Sequence, residues 1–597
     1  MQSTTKTMEY DVVIMGAGFA GLCQARHLKL KMPDIKVILI DPRPEDRQAD
    51  KRSHKLGESL VEIGSLFLYQ ELDLYDYMIE NHPPKSGLHL HWTKDSGKTD
   101  NIDDYYNIWV NRQGAIPTFH LHRAKFEEDL LQMNKKQGIT FCQGKVMDVD
   151  LTPGDALKTV KVKKSNGEYT EFKGKHIVDG AGRKFIIGRK TDNLLFGPEN
   201  LDGVNNGSAW VSVKNVDRSI MSKYDPTEVV ASKYYGTNHW FGEGHWLWMI
   251  PNDTQTMELS LGVVHHHDVI SSKQINTLDK FLAFLEANHN ILYQLVQSGA
   301  DIEFNYLPRI AHMSKTMFSE DNWYVLGDSA AVFDAFYGLG TTMIAQSVES
   351  ITEIIRAKLA GDADAEEKRS LYNEFNLIYT RNCNKITSLH NKHVGHASVM
   401  SSRIYLEYMW WFGLFVPMYL GKWFLDPTWI SAYIKSSAGN FKFFDYVYQQ
   451  LTKIVEKGGN IGFMNCYRAD QMIGDYYTAK HFDDFLENAK LAPGRVNIFS
   501  GLKNTAFYTI IWLLRMQWKG FGIAGALAPQ NLFEIFRLLM MTLQASLGDL
   551  AFRVQTRNLP DNDQVTQTSK EFESYRYQVK LSPWVDRNGL KISESTV

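Results

Sequence analysis

The segment that most restricts this chain lies near its start. The largely apolar, β-branched run Tyr10–Met15 ends directly in Gly16-Ala17-Gly18-Phe19-Ala20-Gly21. A helical stretch with Leu22, Ala25 and Leu28 follows, and then a second strand, Lys36–Ile40, closed by Asp41. Each part has a physical task. Gly16 makes a tight turn, Gly18 lets the backbone approach a pyrophosphate, and Gly21 lets helix and strand pack closely. The phosphates then rest at the helix N-terminus, where free N–H groups and the macrodipole favour negative charge. Asp41, twenty residues beyond Gly21, is placed to accept hydrogen bonds from a ribose. The pattern predicts a Rossmann-like dinucleotide site in an α/β domain.

The rest of the chain limits what else this protein can be. At 597 residues and 44% hydrophobic it is too long for one core and too apolar for disorder, so two or three sub-domains are expected. A net charge of −3 offers no basic excess for nucleic acid. The four cysteines, Cys23, Cys142, Cys383 and Cys466, are widely spaced, which argues against a disulfide scaffold or a cysteine zinc site and fits a reducing cytoplasm. The first residues lack a positive-then-apolar-then-small pattern and read as the approach to a strand, not as a signal peptide.

Two later segments decide which dinucleotide. Lys175–Arg183 is a strand running into the small-residue turn Asp179-Gly180-Ala181-Gly182. Trp323–Ala330 is another buried strand, ending in Gly327-Asp328 and opening a helix through Gly338-Leu339-Gly340-Thr341-Thr342. These resemble the second and third flavin fingerprints of the para-hydroxybenzoate hydroxylase-like FAD superfamily. The resemblance implies FAD, with Asp328 on the ribityl chain, the Gly338/Gly340 helix start facing the flavin ring, and Arg123 near the cofactor. No second G-x-G-x-x-G with a following acid exists for NAD(P)H. Electrons therefore arrive as flavin already reduced by a separate NAD(P)H-dependent reductase, or NAD(P)H binds transiently in an unsigned groove.

Gly244–Pro251 contains W-x-W-x-I-P. As a strand it puts Trp246, Trp248 and Ile250 on one face, and Pro251 ends the run. The motif resembles the hallmark of flavin-dependent halogenases, of the tryptophan/phenolic branch. There the bulky face, Trp246, Trp248, Ile250 and Pro251 in this chain, walls the flavin off from the substrate. The resemblance implies that reduced FAD, O2 and chloride or bromide give hypohalous acid, which a lysine guides to an electron-rich aromatic. Lys85, in Pro83–Trp92 just before a strand, matches that lysine's setting, and a solvated loop lysine is the plain alternative. Burial would lower its pKa and make it a better nucleophile. Lys55-Leu-Gly57-Glu58-Ser59 matches the family's G-E-(S/T/A) segment, which puts Glu58 beside the flavin or, more simply, in a capped helical turn.

One stretch departs from the family. Where many halogenases carry F-x-x-P-x-x-S-x-G on the halide side of the flavin, Val332–Gly340 keeps only the last glycine. Backbone N–H groups can still hold an anion, but a monooxygenase or oxidase without halogenation stays open as the alternative.

The expected architecture is an α/β FAD-binding domain of the para-hydroxybenzoate hydroxylase type (residues 1–194 and 311–360). An antiparallel substrate-side sheet (195–310) and an α-helical C-terminal domain (361–597) complete it. Ser208–Val213 and Thr256–Val264 read as strands of that sheet. His265-His266-His267-Asp268 ends one of them; neighbours on a strand point to opposite faces, so no metal site is expected. Met409–Leu425 is conspicuously apolar but poor as a membrane span, being short and holding Pro417 and Lys422. With Thr509–Leu514 and Phe533–Leu543 it reads as a packed helical domain, or as a greasy pocket or peripheral membrane patch suited to a lipidic or carrier-tethered substrate. Leu559–Ser569 reads as loose and polar.

Overall fold

Strand Met8–Met15 is the centre of the first sheet, and Val12–Met15 are fully buried. It runs parallel to Val37–Asp41 on one side and to Tyr169–Asp179 on the other. Thr140–Asp150 and Trp323–Val325 extend the parallel core outward, and Lys158–Lys164 lies antiparallel between Thr140–Asp150 and Tyr169–Asp179. Helices Phe19–Lys31 and Leu339–Ala360 bury apolar residues in the same core. Being covered is why Val12–Met15 and Val37–Ile40 read as unbroken apolar runs. The computed structural model describes residues 8–49, 58–83, 85, 87–94, 97–110, 116, 118–222, 233–252, 258–464 and 491–559. Lys55–Gly57, Thr256, Met257, Cys466 and residues 560–569 lie outside them.

The second sheet has the order Ala300–Leu307, Asn206–Lys214, Leu259–His266, His245–Pro251, Thr237–Gly242, Leu88–Thr93, Tyr105–Val110. Two features differ from the expected layout. The strands Leu88–Thr93 and Tyr105–Val110 come from within residues 1–194 yet belong to this sheet, so the two units interleave along the chain. The sheet is also not purely antiparallel, because Thr237–Gly242 pairs with Leu88–Thr93 in parallel. Local pattern could show that Leu88–Thr93 is extended; it could not show which partner, 149 residues away, the strand would find.

Alternation along His245–Pro251 is as the sequence requires. Trp246, Trp248 and Ile250 join the large core shared with the parallel sheet. Leu247 and Met249 join a second core with Phe281, Leu285 and Ile291 from the helices Leu278–Asn288 and Asn290–Gln297. The described residues after 361 are mainly helical. Within Met409–Leu425, Met409, Trp410, Phe412, Leu414, Val416, Met418, Tyr419 and Leu420 are buried, so this segment is core and not membrane span.

Candidate active site

Three turns meet at one edge of the parallel sheet. Met15 is in register with Asp179, and Asp179 with Val325, so Gly16, Gly180 and Gly327 all follow the same strand ends. Gly16 has φ +103°, and a Cβ on it would overlap the Gly180 carbonyl; a Cβ on Gly21 would overlap the Gly16 carbonyl. The glycine motif is thus an interlock of three backbones. Asp179 fixes the second turn by accepting from Ala181 N (3.0 Å), Ile187 N (2.8 Å) and Ser329 Oγ (3.0 Å), which also ties it to the third.

The start of helix Phe19–Lys31 is built for an anion. Arg43 and Arg123 flank it, and Glu127 between them accepts from Phe19 N at 3.1 Å, Arg43 Nη1 at 2.9 Å and Arg123 Nη2 at 2.8 Å. A carboxylate therefore stands where free helix N–H groups favour negative charge. Asp41 lies beside this turn as expected, but its oxygens are taken. Ala17 N donates to it at 2.8 Å, Arg43 through backbone N, Nε and Nη2, and Arg47 Nη1 at 3.3 Å. Despite burial, the two guanidiniums hold its carboxyl well below the usual range. A ribose reaches Asp41 only by displacing Arg43, so Arg43 and Glu127 are functional candidates that the glycine spacing did not reveal.

The third turn and the helix after it fit a flavin. His312 Nε2 hydrogen-bonds the Asp328 carbonyl at 2.9 Å, and Asp328 itself is exposed. Gly338 begins helix Leu339–Ala360 in the left-handed region, at φ +63°, and a Cβ on Gly340 would meet nothing within 4 Å. Thr342 Oγ1 is buried without a protein partner. An open helix start, an exposed acid and an orphaned hydroxyl suit a ligand bearing both ring and hydroxyl groups.

Lys85 and Glu58 lie on loops beside the second sheet, joined to it at Thr237 through Ser59 and at Asn252 through Glu58. Lys85 N donates to Thr118 O at 2.8 Å, and Lys85 Nζ to Leu60 O at 3.1 Å. The side chain is half-buried, and desolvation, offset by Glu62, lowers its pKa to about 8. His120 and His239 are close enough for burial and the Lys85 charge to favour their neutral forms, His120 with a pKa of about 3. The His239 ring in turn lies 4.9 Å from that of Trp246. Thr237 Oγ1 joins this group to Ser59 Oγ (2.7 Å) and His120 Nε2 (2.9 Å).

Glu58 Oε1 accepts from Asn252 Nδ2 at 2.7 Å. Burial, with Glu258 nearby and opposed by a Ser260 hydrogen bond, pushes its carboxyl up to about 8. The folded state then binds a proton that the unfolded chain has lost between pH 4.5 and 8, so this group costs stability as pH rises through that window. Glu58→Gln is expected to leave the urea midpoint of the cofactor-free protein unchanged at pH 4 and to raise it at pH 9. A variant no more stable at pH 9 would count against a neutral Glu58.

The tryptophan wall is fixed from behind. Trp246 Nε1 donates to Asp334 Oδ1 at 2.9 Å, and Trp248 Nε1 to Ser260 Oγ at 3.1 Å. Asp334 also accepts from Phe336 N at 3.1 Å and faces His266 Nε2 (3.7 Å) and His390 Nδ1 (3.4 Å). Of the three adjacent histidines, His266 points to this buried group, whereas His265 Nδ1 turns to the Ile270 carbonyl at 3.1 Å. Asp334 lies in the 332–340 stretch where the family motif is altered. The stretch is thus tied to Trp246 at Asp334, and at Tyr337 to the C-terminal helices through Glu407, which also accepts from Arg403 Nε at 2.9 Å.

Comparison with known proteins agrees with this geometry. The tryptophan halogenase family model matches residues 109–395. The flavin-dependent halogenase chlA of Dictyostelium discoideum is 37% identical over 597 residues, 96% of this chain and 98% of that protein. A 1H-pyrrole-2-carbonyl-[peptidyl-carrier protein] chlorinase of Pseudomonas fluorescens is 26% identical over 357 residues, 57% of this chain and 74% of its own. The crystal structure of halogenase PltM superposes with a TM-score of 0.58 at 16% identity, over 90% of this chain and 96% of that one, which establishes the shared fold. The glycine interlock, the open Gly340 helix start and the W-x-W strand are explained together: the chain belongs to the flavin-dependent halogenase family, and its cofactor is FAD.

Proposed function

We propose that Lys85 receives the hypohalous acid made by this FADH2-dependent halogenase from O2 and chloride or bromide, and passes the halogen to an electron-rich aromatic. The net reaction is FADH2 + O2 + X⁻ + H⁺ + ArH → FAD + ArX + 2 H2O. Reduced FAD, when bound, supplies the two electrons.

The observation that carries this reading is the state of the Lys85 amine. It is half-buried, bonded to one carbonyl, and shifted to a pKa of about 8 beside neutral imidazoles. Among the described residues its other two N–H groups have no partner. As ammonium it donates to the oxygen of the hypohalous acid. As amine it attacks the halogen, forming N–X while the oxygen leaves as water. Trp246, Trp248, Ile250 and Pro251 keep the substrate on the Lys85 side; their burial and the anchoring of both indoles support a fixed partition. Gly16, Gly18 and Gly21 with Arg123 would take the pyrophosphate, Asp328 the ribityl hydroxyls, and Gly338, Gly340 and Glu58 the ring's surroundings.

The substrate class is a phenol, pyrrole or indole, free or carrier-tethered; two relatives are named for a pyrrole held on a peptidyl carrier protein. The single glycine motif supports a separate NAD(P)H-dependent flavin reductase as the electron source. The described thiols of Cys23, Cys142 and Cys383 are unpaired, which supports a cytoplasmic setting.

The test supplies the full chain with FAD, a flavin reductase, NADH, O2 and bromide or chloride, together with free and carrier-tethered phenols, indoles and pyrroles. Mass spectrometry is expected to find halogen in place of hydrogen; oxygen addition alone would return the altered 332–340 stretch to a monooxygenase. Omitting the reductase is expected to stop turnover, and NADH sustaining it unaided would remove that partner.

A further inference from the structure

The last two described helices, Ile498–Ala526 and Pro529–Thr556, form an antiparallel hairpin that buries Ile510, Trp512, Leu513, Met516 and Leu538 inward and yet turns a second apolar face outward. In a soluble domain the apolar stripe faces inward and the charges face water. Here both acids of the hairpin point inward: Glu534 is 3% exposed and bonded to Arg537, and Asp549 is 6% exposed and holds Asn497, Lys503 and Arg553. The outward face is apolar. Along the second helix it runs through Phe536, Met540, Leu543, Leu547, Leu550 and Val554, at three- and four-residue spacing. At the tip it continues through Ile523 (71% exposed), Leu527 (61%) and Phe533 (58%). A contiguous apolar face of this length marks a contact surface.

We propose that this hairpin seats the enzyme on an anionic phospholipid surface, lying in the bilayer interface without crossing it. The second helix is long and apolar enough by composition to span. However, charges divide the hairpin into uncharged runs, of which the longest, Asn504–Leu514, Gly520–Phe533 and Leu538–Gly548, fall short of the ~20 residues a span needs.

The charges choose the lipid. Between residues 498 and 557 stand Lys503, Arg515, Lys519, Arg537, Arg553 and Arg557 against Glu534 and Asp549 alone; the two inward acids hold Lys503, Arg537 and Arg553, which leaves Arg515, Lys519 and Arg557 as the excess positive charge. Lys519 is exposed one residue after Trp518, itself 66% exposed, and Lys457 lies 4.9 Å over the Phe521 ring. Cations and an indole beside an uncharged tip are the arrangement of an interfacial anchor, with aromatic and basic groups at headgroup depth. A second copy of this chain would meet the same positive charge, whereas phosphatidylserine complements it.

The experiment is sedimentation of the full chain with vesicles of phosphatidylcholine, alone or mixed with phosphatidylserine. The chain is expected to pellet with the mixed vesicles, less with the neutral ones, and to be released by high salt. Leu527→Ser/Phe533→Ser/Phe536→Ser is expected to lower partition by roughly tenfold or more, with the thermal midpoint unchanged because those side chains are exposed. A chain that stays in the supernatant with mixed vesicles overturns the proposal. So does a lipid-free dimer, seen by sedimentation velocity and dissolved by the same triple variant, or vesicle binding that appears only after residues 560–597 are deleted.

Discussion

Lys85→Ala abolishes halogenation, with kcat falling on the order of 10²–10⁴-fold or below detection, while FAD affinity stays near that of the parent. The separation is expected because Lys85 bonds to the Leu60 and Thr118 carbonyls, whereas the proposed pyrophosphate site lies at the glycine interlock on the end of the parallel sheet. Product assays and titration of FAD fluorescence check the two halves independently. Lys85→Arg refines the result: a guanidinium donates hydrogen bonds but does not lose its proton, so retained turnover would discard the N–X route and keep only hydrogen bonding. The pH dependence has a definite sign. Lys85 titrates at about 8 in the folded state and near 10.5 when unfolded. The unfolded chain therefore binds more protons in that interval, and this group's cost to stability is full below pH 8 and disappears toward 10.5. Lys85→Ala should accordingly compare more favourably with the parent in urea at pH 7 than at pH 10.5. Equal differences at both values would show an amine that is not desolvated.

The parts of this site legible from sequence were those whose signal is local. Gly16, Gly18 and Gly21 sit between a strand and a helix, and the tight contacts that require Gly16 and Gly21 involve the Gly180 turn at the neighbouring strand end and Gly16 itself. Trp246, Trp248 and Ile250 share a face because strands alternate, which holds in any fold. Lys85 was legible only through a family resemblance, since a lysine in a loop is ordinarily solvated; its burial depends on Leu60, Thr118 and Glu62 arriving from other segments. Asp334 was not legible at all. An acid in an aromatic stretch gives no hint of burial until Trp246, His266 and His390, from three distant segments, close around it. Asp41 shows the opposite failure, a correct position assigned an open carboxylate that Arg43 and Arg47 in fact occupy. The C-terminal hairpin was readable as apolar helix, but that it turns an apolar face outward while Glu534 and Asp549 pair inward was not.

Two glycine substitutions separate what holds the fold from what faces the cofactor. Gly21→Val is expected to destabilise by about 1–3 kcal/mol or more, the cost of overpacking, and to abolish FAD binding. Its Cβ falls on the Gly16 carbonyl, and Gly16 is itself wedged against Gly180, so the clash is with backbone on two strand ends and no flexible side chain can give way. Gly340→Ala makes the contrast. Its Cβ meets nothing within 4 Å, and the residue lies in the first turn of helix Leu339–Ala360, where alanine improves helix propensity by about 1 kcal/mol. The thermal midpoint should therefore hold or rise slightly. FAD affinity should nonetheless fall, because the space that the new methyl enters is the approach to the helix start, where the proposed assignment puts the flavin ring. A Gly340→Ala protein with unchanged FAD affinity would mean that the ring does not approach this helix start. The open edge at Gly340 would then be solvent-facing surface, and the halide side of the site would have to be sought elsewhere than along residues 332–340.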